Sequence, residues 1–202
     1  MTTSLRTRHV AGRPFAIVSG VFGLAAGVCF VFFLALGGPH GGSVWAGLAS
    51  AVLGSVQWVA LAPVALALRS RMPAARAVRI ACAVVAAAAL LTPVLEVVTH
   101  RGLWQPDIRL SVVCTFLVFV WILLVSLTGH RRRSLPRPLT RTGLLIGAGL
   151  PVGAVLLLPG LVTPEPLRRA FLAAGIGIGG LAWLAQPVFT LLLAKYVFKE
   201  ES

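Results

Sequence analysis

Charged residues fall in short clusters along this chain, and the stretches between them are almost wholly apolar. Six such stretches stand out, roughly 14–37, 44–68, 80–99, 110–128, 143–162 and 170–194. Each runs about 19 to 25 residues, enough at ~1.5 Å per residue to cross a hydrocarbon core ~30 Å thick. A backbone in lipid must satisfy its own N–H and C=O groups, so each stretch predicts a helix. The expected fold is all-α, a polytopic integral membrane bundle of six transmembrane helices. Residues 1–13 form a basic segment ahead of it, 14–196 a single transmembrane domain, and 197–202 a short tail. The first stretch exceeds the ~7–15 residues of a signal-peptide core. Bulky Val28 precedes Cys29, where a lipoprotein cleavage site needs a small residue. This stretch therefore reads as an anchor.

Composition agrees with the pattern. Of 202 residues, 58% are hydrophobic and 11% charged, with a mean hydropathy of +0.94; soluble domains carry about 25% charged residues. A formal net charge of +13 would suit nucleic acid. The basic blocks lack interleaved aromatics for base stacking, however, so no nucleic-acid partner is expected. The charges instead set orientation. Fourteen Arg and Lys residues fall on one side of the six spans and four on the other. Basic loops stay cytoplasmic, so both termini are expected in the cytoplasm. Sixteen arginines against two lysines, with abundant alanine, point to a GC-rich bacterial gene and to the bacterial inner membrane. The loop HRRRSLPRPLTR offers Arg131, Arg132 and Arg133 to anionic lipid head groups; its plainer reading is a topology signal in a proline-stiffened turn.

Helices in lipid gain no hydrophobic drive toward one another and associate through small residues that let backbones approach. Gly20, Gly23 and Gly27 supply such a face in the first span, Ser50 and Gly54 in the second. Gly143/Gly147 and Gly149/Gly153 do so in the fifth, and Gly175/Gly179 in the sixth. The fourth span, SVVCTFLVFVWILLVSL, has no glycine and is bulky all round, which predicts a place on the lipid-facing perimeter. Pro63, Pro93, Pro151 and Pro187 lie inside spans and each frees a backbone carbonyl. Cys29, Cys82 and Cys114 form no CxxC pair and read as small buried hydrophobes.

Polar side chains at depth are the candidates for chemistry, because burying one without a partner is costly. Gln57 and Gln186 sit near the middle of spans two and six. Each needs a partner, either the other amide or a proline-freed carbonyl, and each is a candidate to line a substrate path. VQWVALAPV and LAWLAQPV share Trp, Gln and Pro at a spacing that differs by one residue, too short a likeness to establish a duplication. Trp58 and Trp183 join the substrate-binding candidates, since a cavity lined by deep tryptophans such as these and Trp121 suits a planar, cationic or isoprenoid ligand. Glu96, the one carboxylate within a span, lies about a turn from the outer surface with His100 four residues on. Pairing there, with His100 and Arg101 beside it, and reaching toward the head groups is its plain role; acting as proton carrier or general acid is its functional one. Asp107 and Glu165 occupy the outer loops.

No histidines pair at a metal or haem spacing, and no nucleophile–base set or phosphate-cradling loop occurs, so no metal site and no cofactor are expected. The composition and candidates favour a small permease-like protein that binds or moves a small apolar or cationic compound. Its partners would be the bilayer and another membrane subunit or a second copy. In LLTPVLEVVTH, Glu96 after Pro93 resembles the acid helix of the small membrane-bound terpene cyclases. That resemblance implies intramembrane acid catalysis at Glu96, where a carboxylate protonates an isoprenoid; no other span here carries the second acid those enzymes use. A third expectation is a non-catalytic accessory or assembly protein whose features serve packing alone.

Overall fold

The computed structural model describes residues 12–37, 44–72, 76–100 and 108–199, with the backbone alone at 96–100, 108–109 and 111. Among the described residues six helices follow one another: α1 (Gly12–Ala35), α2 (Val44–Arg71), α3 (Arg76–His100), α4 (Ile108–Arg131), α5 (Arg137–Val162) and α6 (Leu167–Tyr196). There is no strand among the described residues. All six are long and apolar enough to cross a membrane, so the chain is an all-helical bundle of the multi-pass type. The helices run past the apolar stretches into the flanking arginines. Arginine is a good helix former and its stem lies along apolar surface while its head reaches water.

Each helix packs mainly on its chain neighbours, and α6 returns to α1, so the six form a closed ring. The α1–α2 and α5–α6 pairs are the most extensive. Large apolar side chains also cover the outside, with Leu145 77% and Val162 84% exposed. In water such a surface would drive aggregation; against lipid tails it costs nothing.

The large buried side chains concentrate in one half of the ring. Leu61 and Leu68 of α2, Phe119 and Trp121 of α4, Leu139 of α5 and Phe189 and Leu193 of α6 are all fully buried. This half adjoins the end at which α2, α4 and α6 finish and most of the arginines lie. Toward the other end, the α5–α6 contact narrows to glycines. A methyl on Gly153 would meet the Gly179 nitrogen at 2.8 Å.

Two expectations about packing are met in part. The fourth span has the outward face expected of it, with Val112, Val113 and Phe116 exposed, and it also buries Cys114, Val118, Phe119, Trp121, Ile122, Val125 and Ser126. It needs no glycine because its neighbour supplies one, Gly147 of α5, which seats against the Leu123 backbone at 2.6 Å from a Cβ position. The Ser50/Gly54 face is only half used. Ser50 Oγ donates to the Ala26 carbonyl oxygen of α1 at 3.0 Å, whereas nothing lies within 4 Å of a Cβ placed on Gly54.

Two features finish the arginine-rich end. Arg133 takes a left-handed φ of 51° as the Ser134 N–H returns to the Gly129 carbonyl and the Arg133 N–H to that of His130. This is the hydrogen-bond pattern of a Schellman cap, with arginine where glycine is usual. Beyond α6, the Phe198 N–H bonds back to the Leu193 carbonyl at 3.1 Å, folding the ring inward until Phe198 is 1% exposed. Phe198 then fills the space that a side chain on Gly12 would need. Arg71 Nη1 donates to the Val197 carbonyl oxygen, and its guanidinium lies 5.0 Å from the Phe198 ring centroid. The ends of α1, α2 and α6 are thereby tied together.

Candidate functional site

Gln57 of α2 and Gln186 of α6 meet, with Gln57 Nε2 donating to Gln186 Oε1. They are 8% and 4% exposed, deep in the spans. What allows the meeting is a missing side chain on α1. A methyl on Gly23 would stand 2.6 Å from Gln57 Cδ and 2.7 Å from Pro187 Cγ. VQWVALAPV and LAWLAQPV thus face a single α1 glycine. Pro187 also presents its carbonyl to Thr190 Oγ1, which donates to it at 2.7 Å.

The amides carry more donors than their mutual bond uses. Two carboxamides hold four N–H groups and two carbonyl oxygens. Gln57 spends one N–H on Gln186, and Gln186 Nε2 has no hydrogen-bond partner among the described residues. Exchanging oxygen and nitrogen on both amides reverses the bond and puts the Gln186 oxygen, an acceptor, at the position without a partner. Ser19 Oγ and Ser126 Oγ are also buried without a partner. A helical serine can turn to its own i−4 carbonyl, as Ser55 Oγ does toward Ala51 at 2.9 Å.

A groove of about 380 Å³ opens on the outer surface between α1 and α6. Leu24, Gly27, Val28, Val31 and Ala35 of α1 line it, with Leu184 of α6. The α1 positions recur at helical spacing and form one face. Gly27 lies one turn from Gly23, but neither amide lines the groove, and Gln186, two residues from Leu184, leaves α6 on the opposite side. Leu184 packs on Gly27, its Cδ2 3.0 Å from where a Cβ would stand. The groove is visible only in three dimensions, since two helices and a glycine build it.

The remaining candidates separate. Trp121 is fully buried, donates from Nε1 to Cys82 Sγ at 3.2 Å, and meets Phe189 edge-on at 6.0 Å. Trp183 is half-buried against Phe30, edge-on at 5.3 Å, and Trp58 is half-buried on the core. None of these tryptophans lines the groove. Cys82 and Cys114 are buried, while Cys29 is half-buried. The backbone of Glu96 belongs to α3, but its side chain lies outside the described residues, as do His100, Arg101 and Asp107. Glu165 pairs with Arg169 at 3.0 Å on the exposed start of α6, a contact that contributes little to stability. No group of three His, Cys, Asp or Glu side chains comes together among the described residues.

No family model, curated protein or solved structure matches this chain.

Proposed function

We propose that this chain is a small multi-pass protein of the bacterial inner membrane, both termini cytoplasmic, that binds or moves a small lipid-soluble compound. Permease-like action, alone or as a subunit of a larger membrane complex, is the reading the site supports best. The observation that carries it is the Gln57–Gln186 pair, one helical turn along α1 from a groove that opens to lipid. Polar groups at this depth are costly to keep and mark pathways in membrane proteins. The groove's apolar lining favours an apolar compound over a cationic one. Large core side chains and Phe198 close the arginine-rich half, which favours entry from the opposite half or from the surrounding lipid. The positive-inside excess supports the orientation, and in that orientation Arg131, Arg132 and Arg133 would meet anionic head groups of the cytoplasmic leaflet.

The test is photolabelling in lipid nanodiscs with a hexadecyl chain bearing a diazirine, mapped by mass spectrometry. Labels are expected to concentrate on Leu24, Val28, Val31 and Leu184. Val28→Trp, which fills the groove from an exposed position, is expected to reduce them about tenfold, the equivalent of ~1.4 kcal/mol. Labelling spread evenly over the lipid-facing surface would overturn the proposal.

A further inference from the structure

Arg131, Arg133, Arg137 and Arg141 are exposed around the turn between α4 and α5. Among the described side chains the one carboxylate, Glu165, lies at the opposite end of α5. We infer that this turn is a binding site for a membrane lipid carrying two phosphate groups. Arg131 and Arg133 hold one phosphate, Arg137 and Arg141 the other, and the acyl chains lie along the outer face of α5. This rests on the proposed contact of the turn with anionic head groups and narrows it to a lipid class.

Three observations converge. First, the turn is held in one shape with its arginines outward. Leu135 is half-buried on the core and fills the space that a side chain on Gly129 would need. The Arg133 and Ser134 N–H groups return to α4 carbonyls, and Arg133 keeps a φ of 51° that glycine would adopt more cheaply. Strain of this kind is retained where a side chain has a ligand to meet. Second, Arg137 and Arg141 are one helical turn apart on one face, while Leu139 and Thr140 between them are buried. Like charges this close repel. They also stand at a helix start, which favours negative charge, and the first turn of α5 contains no acid. Phosphate relieves both costs, and each guanidinium can grip two of its oxygens at once. One phosphodiester neutralises a single charge; a second on the same molecule is already tethered beside the other arginines. Third, depth makes the phosphates those of a lipid. The 26 residues of α5 span about 39 Å at ~1.5 Å per residue, against a hydrocarbon core ~30 Å thick. Its first turns therefore stand at head-group level. Below Arg141 on the same face come Leu145, 77% exposed, and Val152, 47% exposed. Charge above and exposed apolar side chains below match a head group and its acyl chains.

Native mass spectrometry of the full chain, released from nanodiscs, decides the matter. The nanodiscs contain zwitterionic phosphatidylethanolamine with phosphatidylglycerol, which has one phosphate, and cardiolipin, which has two, at equal phosphate content. The chain is expected to retain cardiolipin about tenfold in preference to phosphatidylglycerol. Arg137→Gln with Arg141→Gln is expected to abolish that preference. Arg69→Gln with Lys195→Gln, both exposed at the same end but outside the turn, is expected to leave it intact. Should the first pair fail to insert, Arg137→Lys with Arg141→Lys keeps the charges that orient the chain. Without the two-oxygen grip it is expected to lower the preference about threefold. Equal retention of the two anionic lipids by the unaltered chain, or an equal loss in the control pair, overturns the two-phosphate site and leaves the general head-group contact standing. Retention of neither anionic lipid above phosphatidylethanolamine overturns both.

Discussion

A methyl group on Gly153 would lie 2.7 Å from the Gly175 carbonyl oxygen, and one on Gly175 would lie 2.8 Å from that of Gly153. Here α5 and α6 touch backbone to backbone, and neither can yield by turning a side chain. Gly153→Ala and Gly175→Ala are each expected to cost about 1–3 kcal/mol, the range for overpacking a fitted interior. On the same helix, nothing lies within 4 Å of a Cβ placed on Gly177 or Gly180. Alanine there should be neutral or stabilising by up to ~1 kcal/mol, through helix propensity alone. Thermal unfolding in detergent, followed by tryptophan fluorescence, separates the two pairs.

Gln57 and Gln186 form a thermodynamic unit. Replacing either with Met strands the other amide in the membrane interior, at a cost of about 1–3 kcal/mol. Replacing both removes the need for a partner and should recover most of that loss. A double-mutant cycle on unfolding is therefore expected to show coupling of about 0.5–2 kcal/mol. Additive single effects would mean that the two amides do not depend on one another.

Phe198 lies beyond the last apolar stretch yet is buried against Gly12 and under Arg71. Phe198→Ala is expected to destabilise by about 3–5 kcal/mol, as for other buried phenylalanines. Arg71→Met should cost less, because the methionine keeps part of the packing and loses the hydrogen bond to the Val197 carbonyl. Retention of full stability on deleting 197–202 would contradict this role.

Arg133 occupies a conformation that costs a non-glycine residue roughly 1–2 kcal/mol. Arg133→Gly should stabilise the α4–α5 turn by about 1 kcal/mol, visible as a higher midpoint of thermal unfolding. Arg133→Ala, which retains a Cβ, should not.

Orientation is open to direct measurement. In a background without native cysteines, Ser134→Cys is expected to react with a membrane-impermeant maleimide only in inverted vesicles. Thr163→Cys is expected to react only in right-side-out ones. The opposite pattern would reverse the assignment drawn from the arginine excess.

The number and placement of the helices were legible in the sequence, because a bilayer demands uninterrupted apolar length and leaves the termini to charged residues. The mutual need of Gln57 and Gln186 was legible too, as one of two partner choices, since an amide at that depth must find one. Their meeting point was not: it depends on Gly23 of a third helix. The close approach of α5 to α4 was not legible, because bulk and absence of glycine were read on one helix, whereas closeness belongs to a pair and Gly147 provides it from α5. Gly54 fails for the converse reason, a small residue with no neighbour opposite. The groove and Phe198 left no signal in the linear pattern, one being a space between two helices and the other lying outside every apolar run.

With α6 packed on α1 and Phe198 resting on Gly12, the six helices have a cyclic order with no first or last member. Sequence order and bundle architecture are then separable. A circular permutant opened at the turn between α5 and α6, its old ends joined through the segments that flank Gly12 and Phe198, would retain every helix pair of the ring. Its new termini would emerge on the opposite face of the membrane. The same barrel of helices would thus be carried by a chain of inverted topology, and the arginine clusters would have to orient it from internal loops alone.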